Sequence, residues 1–265
     1  MFKFFRSIRQ SLFLQGKASR YLGYALGEIA LIVIGILIAL QIGDWNQARA
    51  DAELEQRYIE QLILNIETDI NRFEFQIEIN DVRLHAVEIL VKASKDPESV
   101  RDYPAMFLVA VSQMIAPAEE PLSSDTFDEL RSTGHLKLLD EQLKKKLFGY
   151  YRDEGRMRQF QNIRHEVALE FRKSRTGILT DEQERWVLAE LGVGLLPWKM
   201  EEALKKTYDV SSAVEAAARL QGNKSLIAWL PEIRKILTQV NSQHDGRIER
   251  AEDLLELLKA HQSSD

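Results

Sequence analysis

Residues 21–42 read YLGYALGEIALIVIGILIALQI, and this run constrains the chain more than any other feature. Apart from its tyrosines, Glu28 is its one ionisable side chain. Backbone amides surrounded by hydrocarbon must be bonded within their own segment, so a run of this kind enters a bilayer as a helix. At 1.5 Å per residue its 22 residues cover roughly 33 Å, about the depth of a bilayer core. The following residues, Gln41 to Asn46, hold no cleavage site of the A-x-A kind. The run therefore reads as an uncleaved signal anchor, not as a removable signal peptide or the core helix of a soluble protein.

Flanking charge sets the expected orientation. Lys3, Arg6, Arg9, Lys17 and Arg20 give residues 1–20 a charge of +5 with no acid, whereas Asp44, Asp51, Glu53 and Glu55 follow the run with Arg49 the one nearby cation. Cytoplasmic flanks collect Lys and Arg, so the N-terminus is expected in the cytoplasm and residues 45–265 across the membrane, which for an inner-membrane protein is the periplasmic face. Tyr21, Tyr24 and Trp45 stand where interfacial aromatics belong. Residues 2–14 mix Phe2, Phe5, Ile8 and Leu12 with Lys3, Arg6 and Arg9, the pattern of a helix lying on membrane lipid. The expected divisions are a basic segment 1–20, a transmembrane helix 21–43 and a helical bundle 44–265. With a net charge of −6 on the whole chain, the 245 residues after the basic segment carry −11, which argues against a nucleic-acid partner. The chain has no cysteine, so disulfides, thiolate nucleophiles and Cys-held metals are excluded.

Inside the run, Gly23, Gly27, Gly35, Ala39 and Gly43 fall at multiples of four, interrupted by Leu31. Small residues in such a row let two helix backbones approach closely. Glu28 lies seven residues before Gly35, on the same side, and a carboxyl group in lipid usually faces protein or water. Gly27, Glu28, Gly35 and Ala39 thus form an expected transmembrane contact, with a second copy or with another membrane protein. The alternative for Glu28 is that it reaches out to water at the cytoplasmic end.

Beyond the membrane the pattern is helical throughout, and the expected class is all-α. Ile59, Ile63, Ile66, Ile70, Phe73, Ile77, Asn80, Leu84, Val87 and Val91 alternate spacings of four and three, a heptad seam with one polar member. A second seam, Phe75, Ile79, Val82, Ala86 and Ile89, runs on the other side. A third returns near the C-terminus through Leu226, Leu230, Ile233, Leu237, Val240, His244, Ile248, Ala251, Leu255 and Leu258, with Pro231 expected in the first turn of its helix. The long seams match each other as an antiparallel pair within one bundle or as a coiled coil between chains. Prolines 97, 104, 117 and 121 bracket a short apolar helix over 105–115. Thr126 and Glu129 fit a capping box, Thr126 at the N-cap, with Gly134 closing that helix. Further helices are expected over 141–174 (Leu143, Leu147, Tyr150, Met157, Phe160, Val167 and Phe171 inward), 181–191 and 198–220, the last two parted by Gly192, Gly194 and Pro197.

The chemistry-bearing motifs are few. Phosphate-loop, dinucleotide and H-E-x-x-H patterns are absent, and no two of the five histidines (85, 135, 165, 244 and 261) lie three or four residues apart. His165-Glu166, the acids Glu67, Asp69, Glu74 and Glu78, and the run Lys144 to Lys146 read as solvated helix faces; His244 reads as a core histidine. No cofactor or metal is expected. Asp125, Asp128, Arg131 and His135 cluster within 122–151 and mark a candidate pocket for a small molecule or an enzymatic site.

Two blocks carry a resemblance. Residues 4–46 and 126–151 are similar to a family of uncharacterised bacterial membrane proteins, domain of unknown function 6090. Tyr21, Tyr24, Ala25, Gly27, Glu28, Ile29, Gly35 to Ile42, Trp45 and Asn46 match its membrane block, with Asp44 where Asn is commoner. Thr126, Phe127, Glu129, Leu130, Gly134, Leu136 and Leu139 match its second block. The two blocks cover about a quarter of the chain, and the resemblance implies an anchor and a helical body. The resulting expectation is a non-enzymatic interaction, scaffold or sensory module; an accessory subunit of a larger membrane complex is the further alternative.

Overall fold

The structure, a computed structural model, describes residues 17–114, 122–152, 154–192, 202–203 and 205–263. Among them the chain is all-α, with eight α-helices: α1 (Lys17–Lys95), α2 (Pro104–Gln113), α3 (Asp125–Thr133), α4 (Glu141–Arg152), α5 (Glu154–Ser174), α6 (Asp181–Leu191), α7 (Val210–Gly222) and α8 (Lys224–Gln262). Short 3₁₀ turns occupy Pro97–Val100 and His135–Leu138. Two compact units divide the chain, Met1–Arg57 and Tyr58–Asp265. The expected surface helix over residues 2–14 lies outside the described residues, as do Ile115, Pro117, Pro121, Gly194, Pro197, residues 198–201, and the side chains of Met157 and Phe160.

The first unit is helix alone. Its residues 22–50 are all exposed, including Leu26, Ile34, Leu37 and Ile38. The apolar window here makes α1 the one helix, among the described residues, long and apolar enough to cross a membrane. After it the exposed side chains become polar and pair along the helix, Gln47 with Asp51 at 2.8 Å and Arg49 with Glu53 at 3.0 Å.

The second unit is a helical bundle whose frame is an antiparallel pair. Glu67 meets Lys259, Phe73 stacks on His244, Asp81 bonds Asn241 and Glu88 meets Arg234. Residue numbers rise along α1 as they fall along α8, so the two long seams pack on each other within one chain. Ile59, Ile63, Ile66, Phe73, Asn80 and Val87 are buried on α1, as are Leu226, Leu230, Ile233, Leu237, Val240, His244, Ala251 and Leu258 on α8. In the last turns Leu254, not Leu255, takes the fully buried place. The second seam of α1 is buried at Ile79, Ala86 and Ile89, while Phe75 at its start is exposed.

One end of the bundle holds the main core. Ala86 to Ala93 of α1, Met106 to Val111 of α2, Phe171, Ile178, Val187, Ala213 to Leu220 and Leu226 to Leu237 contribute its side chains. Helix α2 is buried on nearly every side, which explains why its sequence, PAMFLVAVSQ, is apolar all round. Pro104 opens it, where a missing N–H costs nothing. At the other end α3 meets α1 through Tyr58–Glu129 and Asn65–Thr126, and α4 packs on the last turns of α8, with Leu62, Leu130, Leu143, Leu147 and Leu254 buried.

Three expected boundaries are corrected. Helix α3 starts at Asp125 with Ser124 at the N-cap, so Thr126 is the second residue of its first turn. Thr126 is buried and accepts a hydrogen bond from Asn65 Nδ2 at 2.8 Å, and no capping box forms there. The box occurs instead at Thr180 and Gln183, which open α6 by exchanging bonds with each other's backbone. Within the expected helix 198–220, residues 206–209 are not helical, and Asp209 caps a new start by accepting from Ser212 N at 2.6 Å. Pro231 lies inside α8, not in its first turn, because Asn223 caps the helix at Leu226 N and starts it earlier.

Candidate functional site

The geometry of α3 and α4 is set by a buried carboxylate on α1. Asp69 follows Ile66 by three residues and precedes Phe73 by four, so the helix turns it into the core. It is fully buried, which overturns the expectation of a solvated face; Glu67 beside it does reach the surface, at Lys259. The Asp69 carboxylate accepts the Tyr150 hydroxyl at 2.9 Å and the Ser123 N–H at 3.0 Å, with an Arg72 guanidinium nitrogen at 3.6 Å. Tyr151 completes the arrangement by donating its hydroxyl to the Ser123 carbonyl at 3.1 Å. Burial first, and then the Asp69 charge, push both phenols above their ordinary range, so each stays a neutral donor. Residue 123 is thereby held by both its backbone groups, and the start of α3 is fixed against α4.

Between these helices lies a cleft of about 590 Å³, lined by Ser124, Phe127, Asp128, Arg131, Lys145, Phe148, Gly149, Tyr151 and Arg152. Its apolar part is aromatic. Phe127 stacks on Tyr151 with ring centres 4.5 Å apart and planes at 13°, and Phe148 meets Phe127 edge-on at 5.2 Å. The Phe148 ring remains 45% exposed. The polar part is mostly cationic. The Arg131 guanidinium sits 5.7 Å from the centre of the Phe127 ring, and Asp128 is engaged by the Ser124 hydroxyl at 2.9 Å and by Arg131 at 3.5 Å. Lys145 and Arg152 pair with no carboxylate among the described residues.

Of the four residues expected at a pocket, the fold brings Asp128 and Arg131 to this cleft and leaves two outside its lining. Asp125 is exposed in the first turn of α3. His135 lies past Gly134, where the chain turns with φ +75°, and its Nδ1 is 2.8 Å from the Tyr58 hydroxyl, which also reaches Glu129 at 3.0 Å. Sequence reasoning missed Lys145, Phe148, Tyr151 and Arg152. The available signal was the spacing 145, 148, 152, which puts Lys145, Phe148 and Arg152 on one face of α4.

Gly27, Glu28, Gly35 and Ala39 are all exposed on α1, and a Cβ added at Gly27 or Gly35 would meet nothing within 4 Å. Deeper in the second unit, Arg83 is 7% exposed and bonds Asn80 Oδ1 at 3.3 Å; burial, then the like charge of Arg164, lower its pKa to about 10. His165 and Glu166 are exposed, as expected. Among the described residues no three His, Asp or Glu side chains gather closely enough to hold a metal ion. No family model, curated protein or solved structure matches the chain.

Proposed function

We propose that the chain is a single-pass membrane protein of the family it resembles, domain of unknown function 6090, whose helical unit works as an interaction or sensory module at the periplasmic face of the inner membrane. One observation carries this reading. A fully exposed apolar helical segment, which water would not tolerate, shares a chain with a well-buried helical bundle. Lipid is the solvent that suits the first and water the solvent that suits the second. The charge step from +5 before the segment to acids after it supports the orientation. The row through Gly27, Gly35 and Ala39, with Glu28 beside it, supports helix–helix contact in the bilayer with a second copy or another membrane protein.

A second reading has its own observation. The α3–α4 cleft falls within the size range of small-molecule sites and combines an aromatic lining with a few polar groups, which favours a ligand-binding role. In a sensory module the two readings are compatible.

The test uses membranes from cells making the full chain, washed with alkaline carbonate and then treated with a lysine-directed crosslinker that does not cross membranes. The reading expects the chain to stay in the pellet and to be crosslinked to itself or to another membrane protein. Release into the wash, or a chain that crosslinks to nothing, contradicts it.

A further inference from the structure

The chemistry of the α3–α4 cleft is sharper than its size. The chain after residue 20 carries a net −11, yet three cations, Arg131, Lys145 and Arg152, converge here around one carboxylate. That carboxylate is already committed, since Asp128 takes a hydrogen bond from Ser124 and faces Arg131. Lys145 and Arg152 have no acid to neutralise them among the described residues. Beside them Phe148 presents an aromatic ring to the opening, backed by the buried Phe127–Tyr151 stack.

We propose that this cleft binds a small anion built on a flat apolar ring, an aryl carboxylate or a compound of the same chemistry. The proposal rests on the reading of the cleft as a ligand site, and it holds whichever side of the membrane the unit occupies. The ring lies against Phe148, the exposed aromatic of the cleft, where stacking and edge contacts favour aromatic partners. The carboxylate faces Lys145 and Arg152, where charge-assisted hydrogen bonds are strongest for a planar bidentate acceptor. Asp128 holds Arg131 in place over the Phe127 face and disfavours cationic ligands. Tyr151 backs Phe127 from the inside, and its hydroxyl is spent on the Ser123 carbonyl.

The experiment places the full chain in zwitterionic lipid nanodiscs and follows three fluorinated probes by fluorine NMR, with empty nanodiscs as the blank. The probes are 4-(trifluoromethyl)benzoate, the neutral 4-(trifluoromethyl)benzyl alcohol and ringless trifluoroacetate. The expected result is saturable broadening for the benzoate, with the other two weaker by about tenfold or more. Lys145→Gln/Arg152→Gln weakens benzoate binding by about tenfold or more, and Phe148→Ala does the same, while both keep the wild-type circular dichroism spectrum. Equal binding of the alcohol overturns the anion part and leaves the cleft as an apolar site. Equal binding of trifluoroacetate, or benzoate binding unmoved by the variants, overturns the site as described. Binding of none of the three overturns this inference and the ligand-site reading together.

Discussion

Replacing Asp69 by alanine should be among the most damaging single changes in the helical unit, although the residue sits in what the sequence presents as an acidic helix face. The carboxylate is fully buried and serves two donors, the Tyr150 hydroxyl at 2.9 Å and the Ser123 N–H at 3.0 Å. Each donor left without an acceptor costs about 1–3 kcal/mol. Arg72, partly exposed, turns to water and adds little. Asp69→Ala is therefore expected to destabilise by about 4 kcal/mol, in the range found when a buried polar pair loses one partner. Tyr150→Phe removes one donor from a charged acceptor that keeps its others, at a cost of about 1.5–3 kcal/mol. Because the Asp69–Tyr150 bond is lost in both, the double variant should fall short of the summed effects by about 1–2 kcal/mol. Urea unfolding of the full chain in mild detergent, read by tryptophan fluorescence and circular dichroism, measures all three. An Asp69→Ala variant within about 1 kcal/mol of wild type, or strict additivity in the double, would refute the reasoning.

Three further outcomes follow from the same contacts. The folded chain holds the Tyr150 and Tyr151 protons after the unfolded chain has released them, so stability should be intact below about pH 10 and fall above it, by up to about 1.4 kcal/mol per pH unit for each phenol; Tyr150→Phe should make urea midpoints between pH 9 and 11 fall less steeply. Gly134→Ala places a side chain at φ +75° with nothing within 4 Å, so the loss, about 1–2 kcal/mol by urea unfolding, is backbone strain alone. Arg83→Met should raise stability by about 1–2 kcal/mol, since the buried guanidinium has one long bond to Asn80 and faces the like charge of Arg164; a loss of the same size would mean that the cation is needed.

The parts of this fold that were legible in the sequence are those written in periodicity. The seams through Ile59–Val91 and Leu226–Leu258 repeat every three and four residues because each helix buries one stripe, and two such stripes in one chain can cover each other. The errors came where local signals compete. Ser124 and Thr126 both suit an N-cap, and the choice is made by Asn65, a residue 61 positions away that takes Thr126 into the interior. Asp209 with Ser212 is a strong start signal, but the apolar pattern on either side reads through it. Asp69 departs from the rule that acids lie exposed, and its place between Ile66 and Phe73 in the seam is the sequence signal for its burial. The cleft was half legible. Asp128 and Arg131 belong to one helix and show up in a short window, whereas Lys145, Phe148 and Arg152 join them through tertiary packing of α3 on α4.

The most direct test of the account is where the C-terminus lies. Two fusions to residue 265 suffice, one to alkaline phosphatase and one to a fluorescent protein that does not mature in the periplasm. The account predicts an active phosphatase and a dark fluorescent fusion, which would place the helical unit outside the cytoplasm with its charged N-terminal end inside. An inactive phosphatase with a bright fluorescent fusion would contradict it and place both the unit and its cationic cleft in the cytoplasm.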